Sequence, residues 1–186
     1  TLRAHGVPED LAYLPHVESS FQAHAYSKSG AAGMWQFIPS TGRRFLTIDY
    51  VIDERFNPGA ATLAAARLLR ENYENLGTWP LAITAYNHGA AGMRRAVKKV
   101  GTRDIATICR EYDGRYFGFA SRNFYGQFLA ARRIAGNFEE YFGPLQMAVP
   151  KSVDTLVLPY FVDTSMPVAS PNCSMIGPRS DSLRPE

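Results

Sequence analysis

The sequence predicts an all-α, mainly helical domain followed by an extended, proline-rich strap. Two observations predict the helices. Apolar and small residues recur at helical spacing from about residue 8 to residue 136, and the periodic stretches are punctuated by capping residues and by glycines such as Gly77, Gly101 and Gly136. A third predicts the strap: from Gly143 the period is lost, and Pro144, Pro150, Pro159, Pro167, Pro171, Pro178 and Pro185 interrupt what remains. The boundary is set accordingly, with residues 1–143 as the helical domain and 144–186 as the extended segment.

Pro8, with Glu9 and Asp10 behind it, opens the first helix, because acids favour the positive end of the helix dipole. Leu11, Leu14, Glu18 and Phe21 share one face of it, and Pro15 should kink it just before Glu18. Ser27, Ser29, Gly30 and Gly33 mark a tight loop able to bring backbone amides close to a ligand. Met34, Trp35, Gln36 and Phe37 then set one amide side chain among apolar surfaces, and Pro39, Ser40 and Thr41 open a further helix.

Asn57 and Pro58 begin a helix whose small-residue stripe, Ala61, Ala64, Ala65, Leu68, Leu69 and Tyr73, suits close packing at the centre of the domain. Thr78, Trp79 and Pro80 start the next, which carries Leu81, Ala82, Ala85 and Tyr86 and ends at Asn87, His88 and Gly89. Helices over 91–100 and 104–112 follow. Residues 113–119, DGRYFGF, read as a loop with either an aromatic plug over the core or a substrate platform. Ser121 then caps a helix carrying Phe124, Phe128, Leu129 and Ile134, which closes near Gly136. In the tail, VDTLVLPYFV at 153–162 is apolar enough to lie as a strap, and irregular chain is expected beyond Ser165.

With 186 residues the chain has room for one well-buried domain. No run approaches a membrane span, and the abrupt start reads as that of an excised or processed fragment, so the missing leader does not locate it. The net charge of +3 comes from scattered pairs such as Arg43 and Arg44 or Lys98 and Lys99, which decorate solvated faces. Without an aromatic-interleaved basic stripe, nucleic acid is not an expected partner. A slight positive excess suits a polyanion. His5, His16, His24 and His88 have no zinc spacing, so neither a metal nor a cofactor is expected. Cys109 and Cys173 either bridge, closing a loop worth roughly 4 kcal/mol in the chain-entropy model, or leave Cys109 free on a helix.

Glu18 is the residue with chemistry. A carboxyl on a core-facing stripe is desolvated, which raises its pKa and readies it to donate a proton near neutrality. The plainer reading is an acid near a helix end that turns outward or pairs with an arginine. The surroundings favour the first: an acid, a glycine-bounded loop and a glutamine among aromatics make up a sugar-binding cleft.

VESSF, SKSGAAGMWQFIPSTG and AYNHGAAGM resemble, in order and spacing, the motifs of the family 1 lytic transglycosylases, glycoside hydrolase family 23, which share the goose-lysozyme-like fold. The likeness extends to the catalytic domain of the membrane-bound murein transglycosylase D type and covers most of residues 7 to 135. It implies a lysozyme-like helical domain that cuts bacterial peptidoglycan glycan strands, its partner, in the periplasm or cell envelope. Any wall or membrane anchoring would come from parts outside this chain, and the domain is expected to be a monomer. The resemblance also implies that Glu18 serves first as general acid and then as general base, while the C6 hydroxyl of N-acetylmuramic acid attacks its own C1 to leave a 1,6-anhydro product.

By motif match Gln36 and the backbone from Gly33 to Met34 should hold the sugar, with Ser27 as a lesser contact. Tyr86 should aim its hydroxyl at the acid or the substrate, Asn87 should stand beside it, and Tyr125 should contribute from the last helix. Ser19 is expected to hold the helix end. The family usually opens that last helix with a Glu-Thr pair, where Arg122 and Asn123 are read here. Two other readings stay open: a hydrolytic muramidase, which needs a second carboxylate, and a peptidoglycan-binding module without turnover.

Overall fold

The computed structural model of the chain describes residues 1–146. The strap expected at 153–162 and the partner cysteine Cys173 lie outside the described residues. A 3₁₀ turn at Arg3–His5 is followed by a second at Glu9–Tyr13, which runs directly into helix α1, Leu14–Ser19. The expected kinked helix is thus two pieces. Pro15 sits in the first turn of α1, where its missing N–H breaks no helical bond. Leu11 and Leu14 are buried as their face predicts, but Phe21 is 44% exposed. The chain leaves α1 through Ser20 and Phe21, both left-handed at φ 52° and 62°, so the ring swings out and packs edge-on against His16.

Residues 22–57 carry no continuous strand or long helix. Isolated antiparallel bridges, Tyr26 with Ala32 and Ala32 with Phe37, shape the loop, and α2, Pro39–Gly42, is a single turn. The loop is held from beneath by Arg55, which is 4% exposed. Its guanidinium pairs with Asp53 at 2.6 Å and donates to the carbonyls of Gly30 at 2.8 Å and Phe37 at 3.0 Å. Gly33 rests on the Arg55 backbone at φ +76°, and a Cβ there would stand 1.8 Å from the Arg55 carbonyl oxygen. Only glycine fits.

The Asn57 side chain caps α3, Pro58–Leu76, by accepting from the amides of Gly59 and Ala60, and left-handed Gly77 ends it. Ala61, Ala64 and Ala65 are fully or nearly fully buried, which lets α4, Trp79–His88, approach closely. Along α4 every residue from Leu81 to Ala85 is buried, so this helix, packed against α3, α5 (Ala90–Val100) and α7 (Phe119–Gly136), is the axis of the domain. The remaining helices are α6, Ile105–Glu111, and α8, Phe138–Phe142. Two apolar clusters meet around α4, one built on Leu14, Trp35, Leu69, Ile83 and Phe128, the other on Leu81, Met93, Ile108 and Phe117. Among the described residues no strand forms and no helix is long and apolar enough to cross a membrane, and the predicted all-α class is the one observed.

The 113–119 loop divides its aromatics. Phe117 plugs the second cluster, whereas Tyr116 and Phe119 are 75% and 80% exposed. Arg122 fastens the loop, donating to the carbonyls of Phe117, Tyr112 and Cys109. Ser121 is not the cap expected of it. Helix α7 starts at Phe119 with Gly118 before it, which places Ser121 inside the first turn and buries it.

Candidate active site

The end of α1, the 25–38 loop and the C-terminal end of α4 enclose a cavity of about 480 Å³, within the range of small-molecule sites. Glu18, Ser27, Gln36, Tyr86 and Asn87 all line it, joined by Phe37, Ile38, Thr41 and His88. Gly33, Met34 and Tyr125 are not part of this wall. Gly33 turns toward Arg55, Met34 packs on the first apolar cluster, and Tyr125 packs against both clusters beside Phe128.

Glu18 occupies the last turn of α1, half-buried, with no hydrogen-bond or ionic partner among the described residues. Burial with nothing to compensate the charge pushes its carboxyl up to about 7. It is the single acid among the described residues lining the cavity. A group in this state holds a proton at neutrality and can release it, as a general acid must.

Tyr86 crosses from α4 to the loop. Its hydroxyl donates to the carbonyl of Trp35 at 2.8 Å, and burial, reinforced by the nearby Glu18 charge, holds its pKa well above the ordinary phenol value. The phenol therefore stays protonated beside the acid. Trp35 itself is 2% exposed and donates its indole N–H to Thr62, so it belongs to the core and offers the cavity no stacking face. Phe37, equally buried, reaches the cavity wall.

Ser19 holds the helix end, as expected, by donating to the Met34 carbonyl at 2.8 Å. Gln36 adopts a left-handed φ of 50°, and its Nε2 donates to the carbonyls of Gly33 at 2.8 Å and Ala25 at 3.3 Å. Its Oε1 is left as the end available to a ligand. Ser27 Oγ accepts from the Ala31 amide at 2.9 Å and bonds Ser29 Oγ at 3.0 Å, so it shapes the loop as well as lining the cavity.

Sequence reasoning missed two residues. His88 reads in the sequence as part of a helix end with no chemistry of its own, yet it directly follows Asn87 and lines the cavity. Ser121, more than thirty residues further along the chain, reaches back to both: its Oγ donates to Asn87 Oδ1 at 3.0 Å and lies 3.1 Å from His88 Nδ1. No local pattern signals such a contact.

Comparison with known proteins agrees with this architecture. The chain is 39% identical over 110 residues to "Membrane-bound lytic murein transglycosylase D" of Escherichia coli (strain K12), an alignment covering 57% of this chain and 24% of that protein. The protein of the same description from Escherichia coli O6:H1 (strain CFT073) gives the same identity and coverage. The chain thus spans about a quarter of the length of these curated relatives. The family model described as the Transglycosylase SLT domain matches residues 1–109, more than half of the chain, and the protein belongs to that family.

Proposed function

We propose that this domain is a lytic transglycosylase of peptidoglycan, working outside the cytoplasm in the cell envelope. The observation that carries the reading is Glu18: one acid in a ligand-sized cavity, unpartnered and held near neutral pKa by burial. Family membership and the names of the relatives support the same chemistry.

On this reading Glu18 first protonates the glycosidic oxygen between N-acetylmuramic acid and N-acetylglucosamine, and the bond breaks through a transition state with positive charge at C1. The carboxylate so formed then takes the proton from the C6 hydroxyl of the same muramic ring as that oxygen bonds C1. The product is a 1,6-anhydro sugar, and Glu18 ends protonated as it began. Intramolecular attack needs no bound water, so one carboxyl suffices where hydrolysis would call for a second. Gln36, Ser27 and Asn87 hold the sugar, while Tyr86 keeps a neutral hydroxyl next to the acid. Gly33, Met34 and Tyr125 shape the wall from behind.

The test is mass spectrometry of muropeptides released from purified peptidoglycan by this chain and by Glu18→Gln. Anhydromuramyl products from the first and none from the second are expected. Reducing-end products heavier by one water would mean hydrolysis, and no products from the parent chain would leave a binding module.

A further inference from the structure

Asn87 and Gln36 face the cavity with opposite polarity. Gln36 spends both amide hydrogens on the carbonyls of Gly33 and Ala25, so it offers an acceptor. Asn87 is exposed to the cavity, and its Oδ1 is taken by the Ser121 hydroxyl at 3.0 Å, which leaves its NH₂ as the available end. The Ser121 proton is committed to Asn87, so the 3.1 Å contact with His88 Nδ1 requires the histidine to donate. The His88 ring is fixed in turn by the edge of Phe117, 5.0 Å away, and by Gly92, where a Cβ would stand 2.6 Å from Nε2. The chain from His88 through Ser121 to Asn87 therefore runs one way.

We propose that Ser121 is a positioning residue that fixes the Asn87 amide with its donors toward the cavity, and that this donor, together with the Gln36 acceptor, selects sugars bearing an acetamido group. An acetamido substituent carries one N–H donor and one carbonyl acceptor, the complement of what the two side chains present. A C2 hydroxyl offers a single oxygen where the acetamido group offers two separate polar atoms. The inference rests on the glycan-cleaving reading above and adds to it the source of substrate choice. Ser121 lies beyond the part of the chain matched by the family model.

The experiment measures binding by titration calorimetry in a Glu18→Gln background, where no turnover intervenes. The probes are the β-1,4 tetramer of N-acetylglucosamine and cellotetraose, which has the same backbone with hydroxyls in place of acetamido groups. The parent should prefer the acetylated tetramer by tenfold or more. Ser121→Ala should lose about tenfold for that ligand and nothing for cellotetraose, the scale of one directed hydrogen bond. Ser121→Thr should restore the preference, because the hydroxyl is kept. A merely structural serine would lower the melting temperature and weaken both ligands alike, and that result, or an unchanged preference in Ser121→Ala, overturns the proposal. A parent that binds neither tetramer would instead sink the glycan-cleft reading itself.

Discussion

The Tyr86 hydroxyl lies 2.8 Å from the carbonyl of Trp35, joining the central helix α4 to the loop that carries Gln36. This bond crosses the cavity wall next to Glu18, so it ties the placement of the loop to that of the acid's neighbour. Tyr86→Phe leaves the Trp35 carbonyl unpaired in a buried setting and should cost about 1–2 kcal/mol of stability. Turnover should fall about tenfold or more, since the neutral hydroxyl oxygen beside the acid is lost as well. Urea denaturation and muropeptide release measure the two effects; unchanged turnover would remove Tyr86 from the proposed machinery.

On the proposed mechanism Glu18 exchanges stability for reactivity. Its carboxyl sits at about 7 in the folded chain against an ordinary value of 4.5, so the folded state binds the proton more tightly. The associated stability is fully present below about pH 4.5 and is lost as pH rises through 7, amounting to about 3 kcal/mol in alkaline solution. Glu18→Gln should therefore melt higher than the parent at pH 8.5 and close to it at pH 4.5. On the proposed mechanism, activity of the parent should fade over the same alkaline window. A Glu18→Gln melting temperature no higher than the parent's at pH 8.5 would mean that the carboxyl is not held near neutrality.

Arg55 is the clamp under the loop, and its loss frees Gly30, Phe37 and Asp53 together. Arg55→Ala should destabilise by about 3 kcal/mol, the scale for breaking a buried ion pair from one side. Glycan binding should weaken with it. Asp53, whose side chain is 23% exposed, can be solvated in part, so Asp53→Asn should cost less than Arg55→Ala. Equal losses in chemical denaturation would contradict that ranking.

Two glycines should respond in opposite directions to the same change. Gly33→Ala forces a methyl to within 1.8 Å of the Arg55 carbonyl at a left-handed φ, and should cost more than about 3 kcal/mol or prevent folding. Gly126 lies inside α7 with open space where a Cβ would stand. Gly126→Ala should stabilise by about 0.5–1 kcal/mol. Thermal melts of both variants settle the contrast.

Much of the fold was legible because its helices carry their own boundaries. Asn57 before Pro58, Gly77 and Gly101 act through local backbone chemistry that a sequence displays directly. Pro15 misled because an interior proline and a first-turn proline look alike until the preceding turn is known to be 3₁₀. Glu18, Gln36, Tyr86 and Asn87 could be gathered in advance from ordered motifs. The core placement of Trp35 and the reach of Ser121 could not, since each depends on which helix lies across from it. Arg122, read as a departure from a family pattern, serves the aromatic loop through backbone carbonyls, a role that residue type alone does not reveal.

Among the described residues, Ser20, Phe21 and Gln36 are the non-glycine positions with left-handed backbones, and all lie near Glu18 in the chain or on the wall of its cavity. Each such conformation holds back of order 1 kcal/mol or more that an unconstrained chain would release. A laboratory population selected for survival at high temperature should thus find glycine or asparagine at positions 20 and 21 among its earliest gains. The same lineages should pay in catalysis, because relaxing the exit from α1 lets the acid drift from its aim. Heat tolerance and turnover in this domain would then be set against each other at two adjacent codons.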